Sequence, residues 1–289
     1  MSVVKSFYKK FKYRYYRPSS NPFITGDTFR NFADHIHDDL NDINPTLVKK
    51  GDFIFIKSEF IEDFFQNFAK TIESEFFIIS HNSDRLIDTD LQKLDHPNLI
   101  MWFAQNLSEV KNKKMNFIPI GLENKMYRKN GKVKRFLNAD TEKGDSNLVF
   151  SCFREYSNNE RSNINKIISK VEYINRYDHL KNETYISKLA KSKFNICPEG
   201  NGIDSHRIWE SLILKSIPIV KRNKFIDMLS SNDVPLFVLD NFDDLRNLEE
   251  TKLNEFYEEK KYNLNSLEIY RSDYWENKFF NLKNRYLIK

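Results

Sequence analysis

Short apolar runs alternate with polar stretches of helical length along most of this chain. In the first half the runs at 53–57, 76–80, 99–103 and 116–120 read as strands. A helix is expected from 58 to about 73, with Ser58 as its cap. In the second half strands are expected at 148–153, 171–174, 194–197, 217–220 and 236–239, and helices at 159–169, 184–192, 204–215 and 224–231. This alternation argues for an α/β fold with parallel sheets and helices on both faces. The stretch 125–147 is polar and carries Gly131 and Gly144, so it reads as a linker between two domains. The stretch 266–287 reads as one terminal helix with Trp275, Phe279 and Phe280 on its packing side.

One stretch carries chemistry. From Lys193 to Val220, KFNICPEGNGIDSHRIWESLILKSIPIV, an apolar run ends at Pro198, a polar loop follows, and an amphipathic segment leads into a second apolar run. The chain has 7 glycines, and Gly200 and Gly202 both fall in this loop, where a missing Cβ permits positive φ or close approach of a ligand. A loop that feeds a helix N-terminus offers N–H groups and the positive end of the helix dipole, a setting that suits phosphate. Asp204 or Ser205 can cap that helix. Arg207 and Glu210, at i and i+3, share a face on which a cation can serve a diphosphate and a carboxylate a ribose diol. The alternative reading is an ordinary exposed pair beside a plain turn. A second cluster, SCFREYSNNER at 151–161, follows a strand and opens a helix with Asn158 or Asn159 as cap, so that Arg154 and Arg161 can reach the same diphosphate or be surface arginines.

The run CPEGNGIDSHRIWESLILKSIPIV resembles the donor-binding segment of exostosin-like glycosyltransferases. HNSDR at 81–85, WFAQN at 102–106 and IPIGLEN at 118–124 are similar to the first domain of the small bacterial and viral members. Together these pieces cover under a third of the chain. The family usually has a small residue where Lys215 stands. The resemblance implies a GT-B fold: two Rossmann-like domains facing across a cleft, with a C-terminal helix crossing back to the first domain. The domains are placed at 1–135 (acceptor-binding) and 146–265 (nucleotide-sugar-binding), with the crossing helix at 266–289. It also implies transfer of a hexosyl or pentosyl group from a nucleotide diphosphate sugar, the co-substrate, to a glycan or glycolipid acceptor. The donor would meet Arg154, Arg161, Glu199, Gly200, Asn201, Gly202, Asp204, Ser205, His206, Arg207 and Glu210. An inverting transfer needs a base from the first domain, and the loop after the 76–80 strand supplies Asp84, then His81, with Glu123 third.

Composition narrows the setting. A chain of 289 residues suits two domains, and an aromatic share of 15% with 25 Phe supplies ample core. The net charge of +5 is a mild excess spread along the chain, which argues against a nucleic-acid partner. Cys152 and Cys197 lack metal-ligand spacing and read as reduced core residues. No P-loop and no early G-x-G-x-x-G support a kinase or a dehydrogenase. His35 and His37 in DHIHDD suggest a polar helix face before a metal site, and DTD at 88–90 is discounted as an Mn²⁺ motif because it does not end a strand. No metal or other cofactor is therefore expected. The absence of a long apolar run predicts a soluble, cytoplasmic protein. The basic opening KSFYKKFKYRYYRP is read as an arm on the first domain, with peripheral contact to anionic lipid as its alternative role. A binding module that lost catalysis and a peripheral scaffold are the alternatives to an enzyme.

Overall fold

The computed structural model describes residues 17–127, 130–144 and 147–287, so residues 5–16 of the basic opening lie outside the described residues. The chain forms two compact units, one of residues 1–133 with 271–289 and one of residues 134–270. Each is an α/β unit built on a five-stranded sheet, with every strand pair parallel. Among the described residues no helix is long and apolar enough to cross a membrane.

The first sheet runs β1 (His35–His37), β2 (Asp52–Lys57), β3 (Phe76–His81), β4 (Leu99–Ala104), β5 (Met115–Phe117), in that spatial order. Each strand lies beside its predecessor, so this sheet is wound in a single direction. Right-handed crossovers that always step the same way place their connections on one face. The helical run from Ser58 to Thr71 covers that face, with Phe65 against Trp102 (centroids 5.8 Å) and Phe64 against Phe76 (6.2 Å). Within it Phe64–Phe68 is a π-helix, and Lys57, not Ser58, holds the cap position, without a side-chain bond. The opposite face presents Phe53, stacked on Phe77 at 4.5 Å, and Phe103. Helix α1 (Gly26–Phe32) and the C-terminal helix Ser272–Leu287 close it: Phe279 lies 4.8 Å from Phe53, 4.9 Å from Phe103 and 6.2 Å from Phe29.

The second sheet has the order β10-β9-β8-β6-β7, from β6 (Val149–Ser151), β7 (Ile174–Arg176), β8 (Phe194–Ile196), β9 (Ile217–Lys221) and β10 (Phe237–Leu239). The chain steps outward from β6 to β7, then crosses back to β8 and continues the other way. The winding therefore reverses between β6 and β8, where two neighbouring loops diverge and leave a crevice beyond the strand ends. Its helices are α2 (Val133–Leu137), α3 (Glu160–Ile168), α4 (Asn182–Lys191), α5 (His206–Ile213), α6 (Lys224–Ser230) and α7 (Glu250–Ser266). Helix α5 buries Ile208, Trp209 and Leu212, while α7 brings Phe256 to within 4.9 Å of Phe237 and Tyr257 to within 6.0 Å of Phe194.

Several boundaries differ from expectation. The expected linker carries α2, with Val133 and Phe136 buried. The terminal helix expected at 266–287 begins at Ser272, and α7 lies before it, where no element was expected. The strand expected at 171–174 begins at Ile174, and β1 occupies the stretch read as a helix face.

Candidate functional site

The crevice of the second unit is built from the two loops that leave β6 and β8. Arg161, on the first turn of α3, joins them. Its Nε donates to the Glu199 carbonyl at 2.7 Å, Nη2 to that of Pro198 at 3.2 Å and Nη1 to that of Arg154 at 3.1 Å. The side chain is buried, and desolvation pushes its pKa down to about 10, with the nearby Arg207 charge second. Arg161 is thus the clamp of the loop, and it adds a fixed positive charge beneath it. Arg154 lies on the exposed side, its guanidinium against the Tyr156 ring at 5.7 Å. The turn into α3 is held by Asn158, whose Oδ1 accepts from Glu160 N at 2.9 Å, while Asn159 makes no side-chain cap bond.

The PEGNGIDS loop is fixed at both ends. Glu199 Oε1 accepts from Asn223 Nδ2 at 2.7 Å, Asp204 Oδ1 accepts from the indole Nε1 of Trp209 at 2.7 Å, and Ser205 caps α5 through a bond from Arg207 N. Asn201 is exposed, His206 is half-buried and Gly202 is buried. A Cβ on Gly200 would meet Arg161 Nη2 at 3.6 Å, an ordinary contact, and the left-handed glycines among the described residues are Gly51 and Gly121. Positive φ is therefore not what Gly200 contributes.

Arg207 is half-buried, and its Nε donates to the Cys152 carbonyl at 3.3 Å, across the switch point. Glu210 is buried, and its Oε2 accepts from the Tyr185 hydroxyl at 2.7 Å. That phenol is raised well above its usual range, by burial first and then by the Glu210 charge, so it stays a donor. Among the described residues Arg154, Arg161 and Arg207 have no carboxylate partner, and the ion pairs around them involve other residues, such as Lys221 with Glu160 and Arg176 with Asp178. Both cysteines are free and buried, and burial pushes the Cys197 thiol up to about 12. They belong to the core under the crevice.

In the first unit the residues expected to supply the base differ in setting. His81 is buried, its Nδ1 accepts from Asn82 N at 2.6 Å, and its Nε2 lies 3.3 Å from the Pro119 carbonyl. With Nδ1 accepting, the neutral ring carries its proton on Nε2, toward the Pro119 carbonyl. Asp84 is exposed and Glu123 half-buried; Arg85 pairs with Glu62 at 2.8 Å. Asp27, in α1, was not singled out from sequence. Asn82 Nδ2 donates to Asp27 Oδ1 at 3.2 Å, Asp27 N donates to Asn124 Oδ1 at 2.8 Å, and Asn124 Nδ2 donates to Asn82 Oδ1 at 2.8 Å. This closed ring ties α1 to HNSDR and IPIGLEN. A Cβ on Gly26 would lie 1.8 Å from Asn82 Oδ1, and one on Gly121, at φ +66°, would lie 2.3 Å from the Ile24 carbonyl. Gly26 is required by the Asn82 and His81 side chains packed on it, and Gly121 by the Ile24 backbone and its own left-handed φ.

The metal readings resolve into local structure. His35 and His37 lie on strand β1, where Asp52 at 3.0 Å and Asp63 at 3.2 Å are their respective partners. In DTD, Asp88 Oδ1 accepts from Asp90 N and Leu91 N, and Asp90 pairs with Lys93 at 2.6 Å. No protein-family model matches this chain, and no curated protein matches it.

Proposed function

We propose that the chain is a metal-independent GT-B-type glycosyltransferase that moves a sugar from a nucleotide diphosphate sugar to a glycan or glycolipid acceptor with inversion. The observation that carries the reading is the trio Arg154, Arg161 and Arg207, which carries no carboxylate at the point where the sheet winding reverses. Guanidinium groups that pair with no carboxylate at such a crevice suit an anion, and a guanidinium matches phosphate in geometry. In this reading Arg207 and Arg154 receive the diphosphate, the buried charge of Arg161 supports them, and the Glu210 oxygen opposite Tyr185 accepts from the ribose hydroxyls. When the bond between the anomeric carbon and the diphosphate oxygen breaks, the negative charge that develops on the leaving group is met by these arginines. The acceptor oxygen forms the new bond, and its proton passes to a carboxylate of the first unit, assigned to Asp84 on its exposed loop.

The test is nucleotide binding by calorimetry over a panel of nucleoside diphosphates, in Arg207→Ala and Glu210→Gln. Glutamine keeps an acceptor for Tyr185, so the fold is not the variable. Each substitution is expected to weaken the best ligand about tenfold or more, since charge-assisted bonds are worth about 1.5–3 kcal/mol. Unchanged affinity in both variants, or no binding of any nucleotide by the native chain, defeats the assignment. Slow hydrolysis of a donor sugar in the absence of acceptor separates an enzyme from a binding module.

A further inference from the structure

Tyr156 stands on the 3₁₀ turn Glu155–Ser157, in the loop that leaves β6, and it is 78% exposed. Exposure alone carries nothing, since Tyr262 on α7 is exposed to the same extent. What sets Tyr156 apart is that the turn beneath it is fixed on both sides. Before it, the Arg154 carbonyl accepts from the buried guanidinium of Arg161 at 3.1 Å. After it, Asn158 Nδ2 donates to the Gly200 carbonyl at 3.3 Å, which ties the turn to the second loop of the crevice. The Glu155 carboxylate accepts from Asn165 Nδ2 at 2.7 Å, and Asn165 is buried on α3. An anchored turn on the rim of the crevice therefore holds an aromatic ring out in solvent.

One face of that ring is taken. Arg154 lies over it at 5.7 Å from the centroid, and Arg154 Nη1 donates to the Tyr156 hydroxyl. The cation–π contact and the hydrogen bond together hold the ring in one orientation, so little freedom is left to lose when a ligand arrives. The second face is open, as the exposure requires. A flat π system is what such a face takes. A ligand whose diphosphate is met by Arg154 and Arg207 carries one at its other end, the nucleobase. We propose that Tyr156 is the base-stacking platform of the nucleotide site, with Arg154 on the far side of its ring. The inference rests on the nucleotide-sugar reading above. Every base has a π-face, so a stacking ring supplies affinity without choosing between purine and pyrimidine.

The experiment is isothermal titration of the full chain with guanosine diphosphate, uridine diphosphate and inorganic pyrophosphate, in native protein, Tyr156→Ala and Tyr156→Phe. Pyrophosphate carries the charge without the base, so it reads the arginines alone. Tyr156→Ala is expected to raise the dissociation constants of both nucleotides about fivefold or more, because base–aromatic stacking is lost, and to leave that of pyrophosphate unchanged. Tyr156→Phe keeps the ring and is expected to match the native chain. A pyrophosphate affinity that falls as far as the nucleotide affinities would overturn the proposal and leave Tyr156 as a support for Arg154. A phenylalanine variant as weak as the alanine one would overturn it too, by assigning the effect to the hydroxyl. Nucleotides that bind native protein and Tyr156→Ala equally would remove the platform and leave the arginine site standing. A native chain that binds none of the three probes would defeat the platform and the nucleotide-sugar reading together.

Discussion

Lys215 sits at φ +59°, the left-handed position that ends α5. Ser216 N bonds back to the Ser211 carbonyl at 2.8 Å and Lys215 N to that of Leu212 at 3.2 Å, the pair of bonds of a Schellman motif, in which glycine is the usual residue. A left-handed non-glycine residue costs about 1–2 kcal/mol. Opposing this, Lys215 Nζ donates to the Leu264 carbonyl at 2.7 Å and to the Tyr270 hydroxyl at 3.1 Å. Bonds from a charged donor are worth about 1.5–3 kcal/mol, so the lysine wins. In urea unfolding Lys215→Gly should be less stable than native, and Lys215→Ala, which keeps the strain and loses the bonds, less stable again by about 1 kcal/mol. Alanine matching glycine would contradict the left-handed assignment. At this scale sequence is legible where an effect is local. The cap by Ser205 and the placing of Arg207 and Glu210 on one helix could be read from spacing. The Asp27 ring could not, because it joins residues 27, 82 and 124, and neither could Tyr185, which reaches Glu210 from another helix. Gly26 beside Asp27 was the visible hint, since a glycine next to a carboxylate at a helix start has few structural reasons to be there.

Helices α4 and α5 both end on Lys143. Its buried Nζ donates to the Ala190 carbonyl at 2.7 Å and the Leu214 carbonyl at 2.9 Å, with Ser216 Oγ at 3.1 Å. A cation at two helix C-termini is favoured by both dipoles, yet desolvation dominates and lowers the lysine to about 7, with Lys191 and Lys215 adding repulsion. The sign follows directly. A folded pKa below the unfolded value of 10.5 means that the unfolded chain binds more protons between about 7 and 10.5, so this group makes stability rise with pH across that window. Its slope can approach about 1.4 kcal/mol per pH unit. Urea unfolding of native protein and Lys143→Met at pH 7 and pH 9.5 should show the rise in the first and its loss in the second; parallel curves would refute it. Among elements, the buried strands were legible because β2, β3 and β9 are continuous apolar runs. Strand β1 was not, because HIH is a three-residue run with a polar residue at each end. Helix α7 was missed because ETKLNEFYEEKKYNLNS has a weak stripe, with Leu253, Tyr257 and Leu264 as its buried residues. The interruption at 267–271 was hidden by the helical periodicity after it.

Across the whole molecule, the first unit owes one face of its sheet to the last helix. Phe53, Phe77 and Phe103 are covered by Phe279 and Tyr286, with Phe77 5.4 Å from Tyr286. A chain ending at Tyr270 would leave this aromatic face open, and it should bind an apolar dye and lose the near-ultraviolet circular dichroism of the first unit. Residues 134–270 made alone should unfold cooperatively, because their core, including α7, is drawn from within that range. A truncated chain with native spectra, or a separate 134–270 without a cooperative transition, would refute this division. The single winding of the first sheet was beyond the reach of alternation, since the same order of strands and helices along a sequence serves both windings. Its consequence falls on biosynthesis. During translation the first sheet emerges with one face covered by α1 alone and waits for the ribosome to add the whole of residues 134–270 before Ser272–Leu287 can dock. At about 5–20 residues per second that interval is on the order of ten seconds. For that time the nascent chain carries an exposed phenylalanine surface, a natural target for a chaperone that binds aromatic segments, while the later unit is free to fold ahead of the earlier one.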